Sequence, residues 1–145
     1  MIQLLQQNDA DIGSTMSLLA KEGKRQSLET LIQSGIPFDV VNETGQTGLH
    51  IAARNGKLSV VKMYIEKGLN VHTNEDNGYI ALHRAAGYGR KKVAQYLLEQ
   101  GSNPNWAGLL NNWTPSSLAA RYGHLDVLKL LHSKGGNLNN ITSKG

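Results

Sequence analysis

Five histidines are the side chains of this chain best suited to metal or acid–base chemistry. His50 and His83 stand 33 residues apart in matching surroundings, Leu49-His50-Ile51-Ala52-Ala53 and Leu82-His83-Arg84-Ala85-Ala86. A histidine that recurs at such a distance reads as a structural position. His72, His124 and His132 lack a ligand spacing such as His-Glu-x-x-His, so no metal ligand is assigned. Cysteine is absent, which excludes disulfides, cysteine–zinc sites and thiol nucleophiles. No Ser/His/Asp set and no carboxylate pair has a spacing that places it on a common site, so no catalytic residue is named. Gly87-Tyr88-Gly89-Arg90-Lys91-Lys92 could open a phosphate loop, but it lacks the continuing glycine and follows no strand pattern. Its basic end reads as a solvated helix start, and no cofactor is expected. Asn42-Glu43-Thr44, Asn112-Trp113-Thr114 and Asn140-Ile141-Thr142 match the N-glycosylation triplet. The N-terminus has neither a basic start nor a long apolar run, so it does not read as a secretory signal and the triplets are expected to stay unmodified.

The elements that must carry these residues follow from composition and period. The 145 residues suit one domain. Hydrophobic residues make up 39%, charged residues 18% and aromatic residues 6%, a soluble composition that is neither disordered nor membrane-spanning. The net charge of +4 can steer the chain toward an acidic partner and does not call for nucleic acid.

Sixteen glycines against three prolines announce many turns, and eight of those glycines keep time. Gly23, Gly56, Gly89 and Gly123 are 33, 33 and 34 residues apart. Gly35, Gly68, Gly101 and Gly135 repeat the same gaps twelve residues later. The apolar residues agree: Ser116-Ser117-Leu118-Ala119-Ala120 extends the two histidine segments, and Met16-Ser17-Leu18-Leu19-Ala20 is a degenerate copy upstream. In one unit, Thr47 caps a short helix with an alanine face, Gly56 ends it, a second helix runs from about Leu58 to Glu66, and Gly68 ends that one. Thr114-Pro115 puts proline at the favoured first helical position. The polar run from Asn70 to Gly78 makes an extended turn into the next unit. Two short helices cannot bury an apolar face alone, whereas stacked copies can.

With this period, and with Thr47-Gly48-Leu49-His50, Ile80-Ala81-Leu82-His83 and Thr114-Pro115-Ser116-Ser117 as partial Thr-Pro-Leu-His motifs, the chain resembles the ankyrin-repeat family. The resemblance covers about residues 12–145. It implies an all-α solenoid of about four stacked helix-turn-helix units with β-hairpin-like turns, forming a single domain. The units read as an N-terminal cap at 1–11, a degenerate repeat at 12–41, repeats at 42–74, 75–108 and 109–141, and the start of a further repeat at 142–145. The one-residue excess in the last gap falls between Asn105 and Thr114, in a loop.

The resemblance also implies a concave surface made of turn tips and inner helices. Carried over residue by residue, partner-binding positions are Gln46, Tyr79 and Trp113 at the tips. Ahead of the helix-ending glycines they are Arg54 and Asn55, Gly87 and Tyr88, and Arg121 and Tyr122, with Lys21 and Glu22 upstream. Tyrosine, tryptophan and arginine are enriched at interface hot spots. Trp106 reads as a packing residue. At the ends, Gln3, Gln6, Gln7, Asn8 and Asp9 suit a polar cap, whereas Leu125, Val127, Leu128, Leu130 and Leu131 read as an interior unit. The natural chain is therefore expected to continue past Gly145 or to have that end covered by a partner. The function implied is non-catalytic recognition of a protein partner, an acidic one by charge, with no small-molecule substrate and no membrane insertion; binding to nucleic acid through the basic excess is a less favoured reading, which a steep loss of affinity with salt would support. The alternative is a scaffolding or targeting segment of a longer chain that carries an enzyme domain elsewhere. A cytoplasmic location is expected, while an effector delivered into a host cell or a nuclear protein would share these features.

Overall fold

The computed structural model describes residues 9–138. The polar cap read at Gln3–Asn8, the Asn140-Ile141-Thr142 triplet and the turn read at 142–145 lie outside the described residues.

Among the described residues there are eight helices and no strand. An inner row consists of α1 (Asp9–Glu22), α3 (Gly48–Arg54), α5 (Ala81–Gly87) and α7 (Pro115–Arg121). An outer row consists of α2 (Arg25–Gln33), α4 (Leu58–Glu66), α6 (Lys91–Glu99) and α8 (Leu125–Ser133). Each helix packs on its own partner and on the same helix of the neighbouring unit. The inner row is in closer contact than the outer row. The reason is side-chain size: Ala52, Ala53, Ala85, Ala86 and Ala119 are fully buried there and let backbones approach. Leu28, Val60, Val61, Val93, Leu97, Val127 and Leu131 fill the space between the rows. The expected solenoid is therefore present.

The two glycine series have one physical meaning. Gly23, Gly56, Gly89 and Gly123 sit at φ between 70° and 75°, and Gly35, Gly68, Gly101 and Gly135 between 92° and 108°. At each, the next residue's N–H reaches back to the carbonyl five residues earlier, as in Lys57 to Ala52 (2.9 Å) and Leu69 to Tyr64 (3.0 Å). This is the Schellman ending, which needs a left-handed residue and satisfies carbonyls a helix end leaves open. A basic side chain follows the first series. Arg90 Nε donates to the Arg54 carbonyl (3.0 Å), and His124 Nε2 bonds the Gly87 carbonyl (3.1 Å). The third and fourth units thus each tie down the C-terminal end of the inner helix before them.

The hairpin-like turns close through backbone bonds from Asn42 to Gln46, Glu75 to Tyr79 and Gly108 to Trp113, all 2.9 Å. Successive turns are joined by Asp76 N–H to the Thr44 carbonyl and Leu109 N–H to the Asn77 carbonyl. The third closure spans one residue more than the others, which locates the extra residue of the 34-residue gap. Asn112 replaces the tip glycines Gly45 and Gly78 and keeps their left-handed conformation, at φ 55°.

One irregularity is compensated locally. Tyr64 takes the register held by leucine at 31, 97 and 131, and its hydroxyl is buried without a partner among the described residues. Gly48 takes the register of Ala81 and Pro115, and a methyl group there would land on that hydroxyl. At the far end, Val127 and Leu131 are buried, Leu128 and Leu130 are half-buried, and Leu125 is 64% exposed.

Candidate binding groove

The inner helices begin with a cap that also aligns the tips. Thr47 Oγ1 accepts from the Leu49 N–H (3.2 Å), and the Thr47 N–H donates to His50 Nδ1 (3.1 Å). His50 Nε2 then reaches the Thr73 carbonyl in the following turn (2.8 Å). In the next unit Ile80 has no hydroxyl, so only the histidine half remains. His83 Nδ1 accepts from the Ile80 N–H (3.0 Å), and its Nε2 donates to the Trp113 carbonyl (2.9 Å). Ser117 replaces histidine in the third copy, and among the described residues its hydroxyl bonds only Thr114. Both histidines are fully buried. Desolvation lowers their pKa values, that of His83 to about 4, so the rings are neutral struts between units.

His83 thereby fixes one wall of a groove of about 760 Å³ between the second and third tips and the C-terminal ends of α5 and α7. Tyr79, Tyr88, Trp113, Arg121 and Tyr122 line it together with Arg84, Leu118 and His124. Gly87, without a side chain, leaves its floor open. Arginine and aromatic rings alternate along it. The Arg121 guanidinium lies 5.0 Å from the Trp113 ring centre and 5.7 Å from that of Tyr122. Arg84 lies 5.4 Å from the Tyr79 ring, which stacks on His83 at 4.4 Å. Arg54 lies 5.0 Å from the Tyr88 ring and so borders the same groove. Tyr88 and Tyr122 are 43% and 58% exposed, enough to meet another molecule.

The other expected contact residues lie elsewhere. Gln46 has the register of Tyr79 and Trp113 but is only 7% exposed. Its carboxamide accepts from Asn42 (2.9 Å) and donates to Glu75 (3.2 Å), so it serves the stack. Asn55 donates to the Ile51 carbonyl of its own helix (2.8 Å). With Arg54 it lines a smaller recess beside Leu18 and Lys21, about 170 Å³. Trp106 is half-buried, stacks on His72 at 4.7 Å and donates to the Gly78 carbonyl, as a packing residue would. Among the described residues no three His, Asp or Glu side chains group as a metal site requires, and no helix is long and apolar enough to cross a membrane.

The family described as "Ankyrin repeats (3 copies)" matches residues 16–108, and "Ankyrin repeat" matches residues 111–144. The chain belongs to the ankyrin-repeat family. No curated protein matches it. Ankyrin repeats are in general protein–protein interaction modules.

Arg84 of this ankyrin groove, and the buried Glu75 behind it, are not among the contact residues the sequence singles out. Arg84 forks onto Glu75, Nε to Oε2 at 2.7 Å and Nη2 to Oε1 at 2.6 Å. Glu75 is 3% exposed, and its hydrogen bonds raise the Arg84 pKa further. The pair braces Arg84 against Tyr79 and so sets the groove's upper wall. A signal existed: in the aligned inner helices Arg84 occupies the apolar register of Ile51 and Leu118. A charge in a register that is otherwise apolar needs a counter-charge nearby.

Proposed function

We propose that this chain is a non-catalytic recognition module that holds a protein partner in the groove between its second and third turn tips. One observation carries the reading. Four of the chain's seven tyrosines and tryptophans, with Arg54 and Arg121, converge on a single exposed concavity. These are the residue types that dominate interface energetics, and they lie on a frame rigid enough to present them without further ordering. Nothing in the groove combines a nucleophile, a base and an orienting group, so its chemistry is that of contact.

The test compares partner capture by the wild type with that by Tyr88→Ala, Trp113→Ala and Tyr122→Ala combined, with circular dichroism confirming that the variant folds. Hot-spot magnitudes of about 2 kcal/mol per residue imply a loss of well over a hundredfold in affinity. A folded triple variant that retains its partners at wild-type affinity contradicts the reading.

A further inference from the structure

The chemistry of the groove says more about its occupant. Among the described residues, the charged side chains lining it are Arg84 and Arg121, and no carboxylate lines it. Arg84 is already neutralised by the buried Glu75. Arg121 is not: among the described residues it pairs with no carboxylate, and its guanidinium lies over the rings of Trp113 and Tyr122. Arg54, exposed on the other flank and resting on Tyr88, likewise has no carboxylate partner among the described residues. A guanidinium fixed on aromatic faces keeps its N–H fork free, and that fork matches a carboxylate. Between these two cations the floor is Gly87, and the walls are Tyr79, Tyr88 and Trp113. A Cβ added at Gly87 would meet only Leu118, at ordinary contact distance (3.6 Å), so the notch is real space.

Building on the recognition function above, we propose that the groove binds an acidic linear segment of a partner protein. One apolar or aromatic side chain of that segment drops onto Gly87, and a neighbouring carboxylate meets Arg121. A single-stranded nucleic acid could also stack on the rings, but it needs a cation for every phosphate along its path. This path offers Arg121 alone, because Arg54 shares its recess with the carboxylates of Glu43 and Asp76.

The test uses fluorescein-labelled dodecapeptides read by anisotropy: glutamate-rich flanks around a central Phe or Ser, the lysine-flanked counterparts, and a twelve-nucleotide oligothymidylate. The glutamate-flanked Phe peptide binds best. Lysine flanks, or Ser at the centre, each weaken it about tenfold or more. Arg121→Glu removes the preference for acidic flanks. Gly87→Leu removes the preference for Phe at the centre while the thermal midpoint holds or rises, because leucine favours a helix over glycine. Gly87→Ala, which adds only the tolerated methyl, checks that folding is not the cause. Several outcomes overturn the proposal: equal binding of lysine-flanked peptides, tighter binding of the oligothymidylate, no binding of any peptide at millimolar concentration, or a central preference that survives Gly87→Leu. If any of these occurs while the aromatic triple variant still loses its captured partner, this inference falls and the recognition function stands. If the triple variant also keeps its partner, both fall.

Discussion

At the scale of single residues, the most informative pair is Glu75 and Arg84. Removing one member of a buried pair strands the other, at a cost of roughly 3 kcal/mol, whereas exchanging both for apolar residues is far cheaper. The next unit carries no charge at either equivalent register, where Gly108 and Leu118 stand. A double-mutant cycle of Glu75→Leu and Arg84→Leu in urea is therefore expected to show coupling. The double variant should lose at least about 1.5 kcal/mol less than the two single variants summed. The Gln46 carboxamide loses a partner in both Glu75→Leu variants, so its contribution cancels from the coupling term. Additive losses would contradict the strut assigned to this pair. Gln46 teaches the same lesson from the other side. Its register matches Tyr79 and Trp113, yet Asn42 and Glu75 close over it. Register shows which face a residue shares, while exposure depends on neighbours that one repeat cannot display.

At the scale of elements, the links between units run through neutral histidines. Each accepts a backbone N–H at Nδ1 and bonds a carbonyl of the next turn at Nε2. Glu75 and Arg84 exert opposing fields on both rings, which leaves burial as the dominant influence. A ring whose folded pKa lies below its unfolded value protonates more readily when unfolded. Stability is thus complete above about pH 6.5 and falls as the pH drops from 6.5 toward 4. At about 1.4 kcal/mol for each pKa unit, His83 accounts for a loss of about 3 kcal/mol across that window, and His50 adds in the same direction. Urea midpoints should decline between pH 7 and pH 5, and His83→Gln should shrink the decline. A midpoint unchanged over that range would contradict the buried neutral rings. The helices themselves were legible because each ends on a glycine whose left-handed conformation no other common residue supplies as readily. The backbone bonds that join successive hairpins were not legible, since they involve N–H and carbonyl groups that every residue carries.

At the scale of the whole molecule, the repeat explains why so much of the architecture could be read before any coordinates. Contacts in a solenoid are made with the neighbouring unit, so a period in the chain translates directly into a stack. The groove was legible only in part. Tyr79, Tyr88, Trp113, Arg121 and Tyr122 converge as their registers suggested, but Gly87 gains its meaning as a floor only once the walls are in place. The central claim is that a partner protein docks in this concavity and not on the outer helices. Photocrosslinking tests it most directly, with a benzoylphenylalanine replacing Tyr122 in the groove in one variant and Gln95 on the outer helix α6 in another. The partner should crosslink at position 122 and be absent at position 95. Crosslinking at 95 with none at 122 would place the partner on the opposite face and contradict the account.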